Sequence, residues 1–130
     1  MVINIGALKD GLCDIVFQDI RAVVEAAEGR TVKVIIETGL LNSYEKALAT
    51  KIAYDAGADF IKTCTDVFPG KATVQDVEFI AENIPDQDFT GIHASGGIRT
   101  YNDIVDLICA GAERIGTSAG AEIMKEIMEY

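Results

Sequence analysis

Tryptophan is absent from this chain, histidine occurs once and proline twice, and eleven Lys and Arg face twenty-one Asp and Glu. Each scarcity closes off a class of function. A single histidine, His93, and three cysteines (Cys13, Cys64, Cys109) with no CxxC pair leave most zinc constellations impossible to build. A net charge of -10, spread over acids such as Asp19, Glu25, Glu45, Glu78 and Glu126, argues against nucleic acid, whose phosphates need clustered cations. These acids read as a solvated outer face, so any phosphate ligand must be held by local backbone N–H groups against an unfavourable overall field. No apolar run reaches membrane length and no charged-then-apolar leader opens the chain. The expectation is a cytoplasmic protein with no membrane partner, its thiols serving as small hydrophobes.

What the chain does have is apolar material: 49% of its 130 residues, enough for one domain over residues 1–130 with a substantial core. Short apolar runs begin at Val2 (VINIG), Val32 (VKVIIE), Ala58 (ADFIKT), Phe89 (FTGIHA) and Glu113 (ERIGTS), and each precedes a stretch of helical period. In the first helix Leu12, Ile15, Val16, Ile20, Val23, Val24 and Ala27 recur mostly at steps of three and four, giving one apolar stripe. Start signals mark the later helices: Asn42 with Glu45 is spaced as a capping box, Thr73 and Thr100 sit as caps, and Pro85 follows a helix end. Residues 56–63 (AGADFIKT) are echoed at 110–117 (AGAERIGT), with a glycine placed to end each helix in a left-handed cap.

Five βα units of this spacing predict an α/β protein with a parallel sheet. Pattern alone favours a doubly wound, flavodoxin-like open sheet, which five strands complete unaided and which leaves no unfilled barrel. It also allows a partial TIM barrel of about five βα units, the full barrel normally having eight strands.

Three stretches carry chemistry. Lys62 stands at the carboxyl end of a predicted buried strand, where a desolvated ammonium is costly. If its face lines a pocket, burial favours the neutral amine that attacks carbonyls; the alternative is a lysine that snorkels out at the strand end. Residues 91–100 (GIHASGGIRT) break from a strand into Gly96 and Gly97 just before a helix, which lets backbone N–H groups approach an anion. Residues 115–120 (IGTSAG) repeat the device one unit later. Paired anion-ready turns in the last two βα loops match the phosphate site of many TIM barrels.

The stretches 1–9 (MVINIGALK), 32–38 (VKVIIET), 60–65 (FIKTCT), 94–100 (ASGGIRT) and 114–120 (RIGTSAG) resemble the deoxyribose-phosphate aldolase family in order and spacing. The resemblance covers essentially the whole chain and corresponds to the family's C-terminal part. It implies a partial aldolase-type TIM barrel and a class I lyase that splits 2-deoxy-D-ribose 5-phosphate into acetaldehyde and glyceraldehyde 3-phosphate. By resemblance Lys62 forms the imine, and Gly96, Gly97, Gly116 and Ser118 hold the substrate phosphate with Thr65 nearby. Lys33 matches a lysine of the polar network beneath the site, and Glu37, on the same face, is expected to pair with it.

Three departures from the family pattern bear on activity. The family's proton-shuttling aspartate falls just ahead of Met1. Its second active-site lysine is His93 here, a group mostly neutral at pH 7. The loop after Thr65 reads DVFPGK in place of a glycine-rich stretch, which sets Asp66 beside Lys62, with Lys71 as either a compensating charge or a solvated loop lysine. The expectation is impaired catalysis, with open sheet edges at Val2–Ile5 and Ile115 and uncovered Ile35 and Phe60 inviting association. The partner would be another copy of the chain, giving a homo-oligomer, or a separate N-terminal barrel segment.

Overall fold

The computed structural model describes residues 1–129. Helices α1 (Ile5–Lys9) and α2 (Cys13–Ala26) precede strand β1 (Lys33–Ile35). Then come α3 (Ser43–Asp55), β2 (Phe60–Lys62), α4 (Val74–Asn83), β3 (Gly91–Ser95), α5 (Tyr101–Ala110), β4 (Arg114–Gly116) and α6 (Gly120–Met128). All strand pairs are parallel and the order is β1-β2-β3-β4. A doubly wound sheet reverses direction partway across; this one does not, so the barrel-type reading holds and the flavodoxin alternative falls.

The local signals place the helices where the sequence led us to expect them. Asn42 and Glu45 exchange both hydrogen bonds of a capping box (2.8 and 2.9 Å), and Thr73 accepts from the Asp76 amide. Thr100 forms a second reciprocal box, with Asp103. Gly57 (φ +92°) and Gly111 (φ +122°) lie in the region that favours glycine as a helix ends before the next strand.

Two expectations need correction. The first apolar run does not make a full strand. Only Val2 bridges to Ile35, flanked by Ile3 N–H donating to Ile35 O and Ile35 N–H to Met1 O. Asn4 then accepts the Ala7 amide and starts α1, because a cap side chain satisfies donors that a strand would leave free. The apolar stripe of α2 is also only partly covered: Val16 and Ile20 are fully buried, whereas Leu12, Ile15 and Val23 are exposed. Among the described residues its main helical neighbours are α1 and α3.

Alternation divides the sheet into two faces. Val34, Ile36, Ile61, Ile92 and Ala94 point into the helices and are fully buried, packed with Val16, Ile20, Ala49, Ala53, Val77 and Ile80. Lys33, Ile35, Phe60 and Lys62 point to the concave side and are half-buried, so Ile35 and Phe60 are less bare than an open sheet suggested. Among the described residues no helix is long and apolar enough to cross a membrane.

Candidate functional site

Strand register assembles the concave face. Ile35 lies beside Lys62, Lys62 beside His93, and His93 beside Arg114, in one row across all four strands. Lys33 pairs in register with Phe60 in the row below. The sheet's twist carries its side chain over, so that Lys33 Nζ lies 3.1 Å from His93 Nδ1. An ammonium can only donate, so Nδ1 accepts and the ring proton sits on Nε2.

Burial pushes the His93 imidazole down to about 4, helped by the nearby charges of Lys33, Lys62 and Arg114. The ring is therefore neutral at pH 7. Burial also lowers Lys33, with Arg114 and Lys62 adding to the effect. Both cations adjoin an aromatic face: Lys33 Nζ is 5.6 Å and Arg114 Cζ 4.9 Å from the Phe60 ring centroid, within cation–π range. His93 Nε2 is buried with no hydrogen-bond partner. It lies against Gly116, where an added Cβ would come within 2.7 Å of it.

Glu37 does not pair with Lys33. Its backbone turns left-handed (φ 55°), which takes the carboxylate off the alternating face. Buried there, it accepts from the Thr65 amide (3.2 Å) and hydroxyl (2.5 Å). Thr65 Oγ1 accepts in turn from the Val67 amide. Thr65 is thus bound up in pinning the loop after β2.

Beyond the carboxyl ends of β3 and β4 lies a cleft of about 370 Å³ lined by Asp66, Gly97, Ile98, Arg99, Gly116, Thr117 and Ser118. Gly97 (φ +69°) and Gly96 (φ +107°) make the first turn. The Thr117 hydroxyl donates to Ile98 O at 2.5 Å and accepts from the Ala119 amide, tying the second turn to the first. The structure brings Gly97, Gly116 and Ser118 together here. Gly96 lies behind, its carbonyl accepting from Ala72 N–H, and Thr65 stands one residue before Asp66. Asp66 was expected beside Lys62, yet none of the ion pairs among the described residues joins them. Lys71 is exposed, with its stem over Gly97 and a shallow hollow it shares with Asp103 and Asp106 on the outer side.

Three contributors escaped the sequence reading. Arg114 shares parity with Gly116 on a strand, so alternation alone would have put it on the concave face. Arg99 comes two residues after Gly97 of the glycine turn. Thr117, which locks the turns together, has no such signal because its partner is a carbonyl 19 residues away. Among the described residues no three His, Cys, Asp or Glu side chains gather as a metal site.

No family model matches the chain. Individual proteins do. Over 126 residues it is 56% identical to the deoxyribose-phosphate aldolase of Streptococcus sanguinis, covering 96% of this chain and 56% of that protein. A crystal structure of a putative deoxyribose-phosphate aldolase from Coccidioides immitis superposes with a TM-score of 0.92 at 39% identity, covering 98% of this chain and 51% of the other. A deoxyribose phosphate aldolase from Aeropyrum pernix, described as having a unique tetrameric structure, gives 0.81 at 31% identity over 89% of this chain and 50% of that one. The chain therefore spans about half the length of the relatives it matches. By sequence and by fold it matches about half of a deoxyribose-phosphate aldolase.

Proposed function

We propose that this chain carries the imine-forming half of a deoxyribose-phosphate aldolase-type lyase. In this reading the Lys62 amine adds to C1 of 2-deoxy-D-ribose 5-phosphate and expels water to form the protonated imine. The C2–C3 bond then breaks as the C3 hydroxyl loses its proton. Glyceraldehyde 3-phosphate leaves, and the electron pair rests in an enamine on Lys62. Protonation at C2 and hydrolysis return acetaldehyde and the free amine. The chemistry calls for no metal and no cofactor.

One observation carries the proposal: Lys62 stands in the same register row as His93 and Arg114, and those two strands run on into the turns of the Gly97, Gly116 and Ser118 cleft. A carbonyl at the lysine and a phosphate at the turns can then belong to one molecule. Lys33 and His93 act beneath the imine, and Gly96 and Thr65 support the phosphate loops from behind. A neutral His93, pushed to about 4, is a poor base at pH 7, where an effective one has a pKa near the working pH. Proton transfer is accordingly the deficient step, and turnover by the isolated chain falls well below that of full-length relatives.

Association follows from the same geometry. The Val2 side of β1 and the outer side of β4 are open edges, which invite pairing. We take the partner to be another copy or a complementary barrel segment, working in the cytoplasm as part of one domain with this chain.

Borohydride trapping with 2-deoxy-D-ribose 5-phosphate tests the reading. Mass spectrometry should find a reduced adduct on Lys62 that Lys62→Met abolishes. An adduct elsewhere, or none, refutes the imine. Turnover matching a full-length relative refutes the impairment.

A further inference from the structure

We propose that Lys33 is a second carbonyl-reactive amine of the concave face, one that forms imines with small aldehydes carrying no phosphate. The inference goes beyond the Lys62 reading and does not depend on it.

Geometry comes first. Lys33 stands half-buried on β1, with its Nζ 3.1 Å from His93 Nδ1. A nucleophile within hydrogen-bond reach of a fixed partner is an oriented one. An amine that gives one N–H to Nδ1 keeps its lone pair free, directed away from the ring. That acceptor persists, because the buried imidazole stays neutral down to about 4. His93 therefore positions the amine and takes no proton from it.

Charge decides which form the amine adopts. Burial disfavours the Lys33 ammonium first, and the cations of Arg114 on β4 and Lys62 on β2 add to the effect. The Phe60 ring works the other way, since its face attracts a cation. Arg114, however, sits closer to that ring than Lys33 does, at 4.9 against 5.6 Å. A carboxylate would also restore the ammonium, but the neighbouring ones are turned elsewhere. Asp59 accepts from the Val32 amide (2.7 Å) and Glu37 from Thr65. Glu113 Oε2 lies by Gly91 and the Phe60 ring edge. None of the three forms an ion pair with Lys33 among the described residues. The Met1 amine donates to the Lys33 carbonyl (2.9 Å) and brings no negative charge.

The neutral amine then reacts as amines do. Its lone pair bonds to the carbonyl carbon while the C=O pair moves to oxygen, and a proton passes through water from nitrogen to that oxygen. Hydroxide then leaves the carbon as a second proton leaves nitrogen, so one water departs and a C=N bond remains. In the proposed function, 2-deoxy-D-ribose 5-phosphate is tethered at the glycine turns with its carbonyl at Lys62. An aldehyde without phosphate has no tether and meets whichever amine is neutral.

The test exposes the full chain briefly to propanal with cyanoborohydride, which reduces the imine to a propylamine, and reads each lysine by peptide mass spectrometry. Near neutral pH, Lys33 should be labelled roughly tenfold faster than the exposed Lys125. Its rate should level off at a pH where that of Lys125 still climbs, and Arg114→Gln should move that levelling point upward. Labelling of Lys33 should persist in Lys62→Met. Equal rates and equal pH slopes at Lys33 and Lys125 overturn the proposal. Loss of the Lys33 adduct in Lys62→Met also overturns it, because the aldehyde then reached Lys33 only by transfer from Lys62. Either failure leaves the trapping of 2-deoxy-D-ribose 5-phosphate on Lys62 unaffected, so the two readings fall separately.

Discussion

The two faces of this sheet were built for different ends. Toward the helices, Val34, Ile36, Ile61, Ile92 and Ala94 are sealed completely. Toward the concave side the same strands present Lys33, Phe60, Lys62, His93 and Arg114, with an orphaned imidazole nitrogen and three cations in a chain of strongly negative charge. Stability is concentrated on one face and chemistry on the other, and the alternation of the strand is all that separates them.

The contrast can be broken most severely from the sealed side. Ile61→Ala should cost about 2–5 kcal/mol, as large-to-small changes in cores do, whereas Ile35→Ala, half-buried on the concave face, should cost well under half as much. Urea denaturation of both variants measures the difference, and equal losses would erase the distinction. Acid probes the other face next. Since His93 takes up its proton only near 4 when folded but near 6.5 when unfolded, the unfolded chain binds more protons between those values. Stability is full above about 6.5 and declines as pH falls toward 4, at up to about 1.4 kcal/mol per unit. The midpoint of thermal unfolding should follow this, and His93→Gln should flatten that part of the curve.

Thr65→Val takes one donor from the buried Glu37 carboxylate, which should cost about 1–3 kcal/mol by thermal unfolding. It should also broaden the amide signals of residues 66–68, whose loop that bond anchors. The smallest effect belongs to the solvent. Lys51→Ala breaks an exposed i,i+4 pair with Asp55 and should shift stability by less than about 0.5 kcal/mol.

How far the sequence could be read depended on how local each cause was. The box at Asn42/Glu45, the caps at Thr73 and Thr100 and the glycine ends at Gly57 and Gly111 are settled within four residues, and all were legible. The order of strands needed only the βα rhythm and the aldolase-like motifs. What escaped was set by backbone reversals at residues that give no warning. Asn4 could have sat in a strand and instead starts a helix. Glu37 and Asp66 adopt left-handed conformations without being glycine, which moved one carboxylate away from Lys33 and set the other into the cleft lined by Gly97, Gly116 and Ser118. The bond between Lys33 and His93 spans 60 positions, beyond the reach of any local pattern.

Positions 93 and 116 also constrain each other's evolution. An imidazole that presses on a neighbour with no side chain fixes that neighbour as glycine, so even alanine there would drive the ring off its lysine. A lineage could enlarge one position only after shrinking or redirecting the other. A library randomised at either position alone should therefore return a narrower set of survivors than one randomised at both.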